Sequence, residues 1–99
     1  MDNTKGIFGM DFESKRKFLA SKNEEARLAT GFDKALVGYR EQQGLPIVGV
    51  YSIDKCIEVL INDEGMGEEE ALEHMDYNVT GSYMGENTPV FVTDFEEEL

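Results

Sequence analysis

The fold is decided by the stretch PIVGVYSIDKCIEVLINDEGMGEEEALEHMDYNVTGSY, residues 46–83. It opens on β-branched and aromatic residues, which predict a strand over 46–51. Ser52 is a good helix N-cap, and the apolar residues after it recur at i, i+3, i+4, i+7 and i+8. That spacing predicts a helix over 53–64, which Gly65 should end.

A second helix is expected over 68–83, directly after Gly67. Its first three residues are glutamates, which favour the positive end of a helix dipole. A stripe of apolar residues at i, i+3, i+7 and i+11 gives this helix its expected core face: Leu72, Met75, Val79 and Tyr83. The two helices therefore form a helical hairpin, and each has one apolar side to bury.

The rest of the chain supplies further strands and one more helical segment. Alternating apolar and aromatic residues predict strands over 34–40 and 89–93, the first joined to 46–51 by a short loop containing glycine. Residues 11–29 are rich in good helix formers and predict an N-terminal helix or arm. The expected fold class is α+β, with a small antiparallel or mixed sheet of about three strands against the helical hairpin.

Charge is distributed unevenly along the chain. The 99 residues include 21 acidic and 9 basic side chains, for a net charge of -12. Residues 1–34 hold seven of the basic and six of the acidic side chains, whereas residues 35–99 hold two basic and fifteen acidic ones. We therefore expect a helical or partly disordered arm over 1–31, and an acidic core domain over 32–99 that carries an acidic C-terminal tail.

Several classes of protein are excluded by composition. One cysteine and one histidine leave no internal disulfide and no zinc cluster of the usual kind. The acidic loop over 63–68 has glycines where a calcium loop needs Asp or Asn, and no phosphate-binding loop is present, so neither a metal nor a cofactor is expected. No apolar run is long enough for a secretory signal or a membrane span, so we expect a cytoplasmic protein.

Cys56 and His74 are the residues to consider for catalysis, and neither stands in a catalytic pattern. Cys56 lies on the apolar stripe of the first helix, where a buried and unreactive thiol is expected. His74 lies outside the apolar stripe of the second helix, and no acid or base stands at the sequence spacing of a known catalytic motif. We therefore expect no catalytic residues and a protein that is not an enzyme.

Acidic residues on the second helix form the main candidate site. Glu69, Glu73 and Asp76 recur at i, i+4 and i+7, with carboxylates roughly 5–6 Å apart from one turn to the next. This spacing is close to that of phosphates along a nucleic acid strand, although a merely solvated helix face explains it equally well. The full set of expected partner-binding residues is Glu69, Glu70, Glu73, Asp76, Glu86, Glu96, Glu97 and Glu98.

Net negative charge limits the partners. It repels nucleic acid phosphates and anionic lipid, so we expect no direct binding to nucleic acid or to membranes, and expect a basic protein surface as partner. Pairing of two copies through apolar faces would also suit a chain this small. The alternative is a small-molecule or nucleotide-binding protein, such as a sequestering oligomer, with Tyr77, Asn78, Gly85 and Thr88 as pocket walls. A third reading is an accessory factor with no site of its own.

Five short motifs carry a resemblance to a known family. They are the strand ending in Tyr51, Asp54-Lys55-Cys56, Gly65-Met66 before the Glu-Glu-Ala run, Tyr77-Asn78 with Gly81, and Gly85-Glu86-Asn87-Thr88-Pro89. Over residues 32–93 the chain resembles a widespread family of small bacteriophage and prophage proteins whose function is not established. Small acidic phage proteins are often inhibitors of restriction, CRISPR and other host machinery. The resemblance thus implies a nucleic-acid mimic in the host cytoplasm that blocks a basic, nucleic-acid-handling surface of a host or defence protein.

Overall fold

The computed structural model describes residues 10–95, so Glu96, Glu97 and Glu98 of the expected acidic tail lie outside the described residues. In chain order the elements are α1 (Phe12–Lys22), β1 (Leu36–Arg40), β2 (Val48–Ser52), α2 (Ile53–Asn62), α3 (Glu68–Thr80) and β3 (Val90–Val92). A short 3-10 turn, Asp33–Ala35, leads into β1. The expected α+β class is confirmed.

The three strands form one mixed sheet in the order β1-β2-β3. β1 and β2 pair antiparallel, with Tyr39 opposite Gly49 and an irregularity in the register between Leu36 and Gly38. β2 and β3 pair parallel, with Tyr51 opposite Phe91. A parallel pair needs a long crossover connection, and here the helical hairpin α2–α3 is part of that connection.

Both helices of the hairpin begin where the sequence predicts. The Ser52 hydroxyl accepts a hydrogen bond from the Lys55 backbone N–H at 3.1 Å, which caps α2. α2 ends two residues before the predicted 64, and Gly65 then takes the left-handed conformation with φ +74°. α3 starts at Glu68 as predicted but ends at Thr80, so the predicted end at 83 was three residues too far.

One hydrophobic core joins the sheet to all three helices. Its buried members are Leu19 of α1, Ala35, Leu36 of β1, Tyr51 of β2, Cys56 and Leu60 of α2, and Ala71 and Met75 of α3. Residues 10–31, the described part of the expected arm, therefore contribute to this core through Leu19. Gly49 permits the close approach, because a Cβ there would lie 2.9 Å from Leu36 Cδ1 and 3.3 Å from Leu19 Cδ1.

The N-terminal helix is shorter than the predicted 11–29, because α1 ends at Lys22. Tertiary hydrogen bonds replace helical ones after that residue. The Asn23 side-chain amide donates to the Ile47 carbonyl at 2.9 Å, and the Ala29 backbone N–H donates to the Tyr51 hydroxyl at 2.9 Å. Helix propensity at 24–29 is therefore overridden by contacts with the sheet.

The predicted core stripe of α3 is half wrong. Met75 is buried and Val79 packs against the core, but Leu72 is 47% exposed and Tyr83 is 76% exposed. The buried face instead runs through Ala71 and Met75, one helical turn apart. Leu72 stands about 100° round the helix from Ala71, and Tyr83 lies beyond the end of the helix, so neither belongs to the buried face.

Candidate functional site

All five carboxylates of α3 are exposed to solvent, and four of them form what we call the acidic face: Glu69, Glu70, Glu73 and Asp76. α3 contains no lysine or arginine. Among residues 10–95 the ion pairs are Arg16 with Glu13 and Lys34 with Asp63, so no carboxylate of the acidic face has a cationic partner there. Like charges three and four residues apart on a helix repel each other, and here that repulsion is not offset within the described chain.

Two large exposed side chains of α3 lie beside the carboxylates of the acidic face. Leu72 is 47% exposed and Tyr77 is 83% exposed. Helical spacing sets Leu72 one turn from Asp76, and Tyr77 one turn from Glu73. Tyrosine is among the residues that protein interfaces use most, because it offers a flat apolar ring together with a hydroxyl.

A groove of about 330 Å³ lies beside the C-terminal end of α3. It is lined by the end of β1, the loop before β2, the last turn of α3 and the chain leading into β3. The residues that line it are Arg40, Leu45, Val79, Ser82, Tyr83, Gly85, Glu86, Thr88, Pro89, Val90 and Phe91. Its walls are mostly apolar, and Arg40 and Glu86 are its charged residues.

Arg40 is half-buried at the end of β1, and one of its nitrogen atoms is buried without a hydrogen-bond partner among the described residues. Its Nη2 donates to the Pro46 carbonyl at 2.6 Å. Its Nε is buried and has no hydrogen-bond acceptor among residues 10–95. A buried donor on a charged group without an acceptor costs about 1–3 kcal/mol or more, so this nitrogen lowers the stability of the fold.

The turn that borders the groove is held by several hydrogen bonds. Gly85 has φ +106°, a conformation that favours glycine, and its carbonyl accepts from the Thr88 backbone N–H at 3.2 Å. The Thr88 hydroxyl accepts from the Met84 backbone N–H at 2.8 Å. Asn87 ties the turn to the N-terminal segment, because its side-chain oxygen accepts from Asn23 at 2.8 Å.

The structure brings only part of the expected pocket together. Gly85 and Thr88 line the groove, and so does Glu86, one of the expected partner-binding residues. Tyr77 and Asn78 do not line it; the Asn78 side chain donates to the His74 carbonyl within α3 at 2.6 Å. Sequence reasoning missed Arg40 and Leu45, because they come from β1 and the following loop and no motif links them to the later residues.

The residues considered for catalysis are not assembled into a site. Cys56 is fully buried, and burial raises the pKa of its thiol from 9.0 to about 11, so it is protonated at neutral pH. His74 is exposed on α3. Within residues 10–95 there is no group of three or more His, Cys, Asp or Glu side chains able to hold a metal ion. None of the described helices is both long and apolar enough to cross a lipid bilayer.

A second groove, of about 340 Å³, lies between α1 and the free edge of β1. Phe18, Leu36 and Tyr39 contribute to its apolar walls. The Lys15 amine donates to the Leu36 carbonyl at 2.7 Å and so covers part of the strand edge. A lysine over an edge strand is a common protection against pairing with another chain.

Comparison with known proteins adds no relationship to this geometry, since no family model, curated protein or solved structure matches the chain.

Proposed function

We propose that this protein is a non-enzymatic inhibitor encoded by a phage. Its acidic face binds and blocks a basic, nucleic-acid-handling surface of a host or defence protein. The observation that supports the proposal is the acidic face itself. It presents four exposed carboxylates on one helix without a cationic partner among residues 10–95. The phage setting rests on the family resemblance of residues 32–93.

Repulsion within the acidic face favours a basic partner. Glu69, Glu73 and Asp76 lie one helical turn from each other, so each carboxylate raises the free energy of the next. Lysine and arginine side chains of a partner would relieve this repulsion on binding. A groove that normally holds nucleic acid already presents basic side chains at phosphate spacing, and would accept this row of carboxylates in place of a phosphate backbone.

Two exposed apolar side chains beside the carboxylates favour a folded protein as partner over a free polycation. Leu72 and Tyr77 offer apolar contact next to the charges. Charge steers association and sets specificity, whereas buried apolar anchors contribute most of the binding free energy. The proposed complex therefore uses the carboxylates for recognition, and Leu72 with Tyr77 for affinity.

Competition for DNA-cellulose tests the proposal directly. A bacterial lysate is loaded on DNA-cellulose at low ionic strength, and the retained proteins are challenged with the purified acidic protein. A triple variant, Glu69→Gln with Glu73→Gln and Asp76→Asn, removes three charges from the acidic face. A matched control, Glu24→Gln with Glu25→Gln and Glu64→Gln, removes three exposed charges elsewhere.

The wild-type protein and the matched control are expected to release the same defined host protein, which mass spectrometry then identifies. The triple variant is expected to release at most about a tenth as much, because three lost charge contacts weaken binding by tenfold or more. Salt also elutes proteins from DNA, so its effect is measured on the isolated complex of the acidic protein with the identified host protein, whose affinity should fall as salt is raised. Equal release by all three proteins, or no release by any of them, would contradict the proposal.

A further inference from the structure

The groove lies at the C-terminal end of the helix that carries the acidic face. Val79, in the last turn of α3, lines the groove, and the chain then passes directly into Ser82 and Tyr83, which line it as well. The same helix carries the acidic face about one to three turns earlier. A partner segment lying along α3 would therefore meet both features.

Several side chains that line the groove are exposed to solvent. Tyr83 is 76% exposed and Leu45 is 42% exposed, and the two contribute to its walls. Val79, Pro89 and Phe91 make the remainder of the walls largely apolar. A surface of this kind gains free energy when an apolar side chain covers it.

The charges argue against an anionic occupant. Residues 10–95 hold 17 acidic and 8 basic side chains, so the field around the molecule repels free nucleotides and other anions. Arg40 also lines the groove, but its Nε, unpaired within residues 10–95, is buried from solvent and is not open to an occupant. Glu86 lines the groove and α3 carries further exposed carboxylates, so the charges favour an occupant that is flanked by basic residues.

We propose that the groove receives one apolar side chain from an extended basic segment of the partner protein. The lysine or arginine residues of that segment face Glu86 and the acidic face. This inference rests on the proposed function and deepens it. It states that the partner is recognised by an apolar anchor flanked by basic residues, and not by positive charge alone.

Two synthetic peptides of equal charge test the proposal. KKGFGKK carries an apolar anchor between its lysines, and KKGSGKK carries a serine in its place. Their affinities are measured by isothermal titration calorimetry at physiological salt. The variant Leu45→Ser with Tyr83→Ser removes two exposed walls of the groove, and Leu28→Ser removes an exposed leucine that does not line it. Circular dichroism checks that both variants are folded.

The phenylalanine peptide is expected to bind the wild-type protein and Leu28→Ser about tenfold more tightly than the serine peptide. On the groove variant the two peptides should bind within about twofold of each other. The triple variant of the acidic face should weaken both peptides equally, because it leaves the groove intact. This pattern would show that the apolar anchor and the lysines contribute separately to the affinity.

Other outcomes overturn the inference without deciding the proposed function. If both peptides bind the wild-type protein equally and lose affinity on the triple variant, the groove has no part in recognition, while the acidic face still binds basic segments. If neither peptide binds, the inference fails, and the DNA-cellulose result alone decides the proposed function. Thermal stabilisation by ATP that the groove variant abolishes would assign the groove to a small molecule instead.

Discussion

The Cys56 thiol makes the stability of this protein depend on alkaline pH. The side chain is fully buried, and burial raises its pKa from 9.0 to about 11. Between these values the unfolded chain loses the thiol proton while the folded protein keeps it. The contribution to stability is therefore complete below about pH 9 and is lost as the pH rises towards 11. A difference of two pKa units corresponds to about 2–3 kcal/mol of unfolding free energy.

Tyr51 acts in the same direction at higher pH. Burial raises the pKa of its hydroxyl above the ordinary value of 10.0, and the hydrogen bond from the Ala29 backbone N–H opposes part of that rise. The Tyr51 contribution is complete below about pH 10 and declines above it. A Cys56→Ala variant isolates the thiol, because it retains Tyr51 and every other titrating group.

Urea unfolding of the wild-type protein and of Cys56→Ala, each measured at pH 8, 9, 10 and 11 with a reductant present, supplies the comparison. Between pH 8 and pH 11 the wild-type protein is expected to lose about 2–3 kcal/mol more unfolding free energy than the variant. The alanine variant itself should be less stable at pH 8, because it leaves a small cavity. Parallel pH curves for the two proteins would refute the argument.

Three further substitutions test packing, a tertiary hydrogen bond and charge repulsion. Gly49→Ala should lower the unfolding free energy by about 1–2 kcal/mol, because the added Cβ lies 2.9 Å from a buried methyl group of Leu36. Tyr51→Phe should lower it by about 1 kcal/mol, because the Ala29 backbone N–H loses its acceptor. Glu73→Gln should raise it by about 0.2–0.5 kcal/mol at low salt and leave it unchanged in 1 M NaCl, where repulsion is screened.

Each of these substitutions has a matched control, and all are compared by urea unfolding. Gly38→Ala adds the same methyl group on β1, where nothing lies within 4 Å of the new Cβ, so it should not destabilise. Tyr39→Phe removes a hydroxyl from a half-exposed tyrosine, and Glu24→Gln removes an exposed charge away from α3. If a control changes stability as much as its test variant, the corresponding physical reason is wrong.

Local signals in the sequence were sufficient for the helical hairpin and insufficient for the N-terminal helix. Ser52 and Gly65 mark the start and end of α2 through their own backbone chemistry, which the neighbouring residues already specify. The end of α1 at Lys22 depends on the Asn23 side chain reaching the Ile47 carbonyl, far along the chain. Lys22 followed by Asn23 is typical of a helix C-terminus, but Glu24 to Ala29 are good helix formers, so the local pattern does not decide where this helix ends.

The candidate site divides in the same way. The acidic face follows from helical spacing alone, because Glu69, Glu73 and Asp76 belong to one helix whose periodicity is visible in the sequence. The groove is built from three separate segments, and the pairing of Arg40 with Val48 in the sheet is what brings β1 to it. Pairing of this kind is a property of the folded chain and leaves no motif.

The parallel pairing of β2 with β3 has a consequence for how the chain folds. β1 and β2 are joined by a short loop, so we expect them to pair early, because little chain entropy is lost. β3 reaches β2 only after residues 53–89 have been brought back across the core, and this is the slow kind of contact. Substitutions in Val90–Val92 should therefore accelerate unfolding more than they retard folding, and the wall that these residues give to the groove would be among the last features to form.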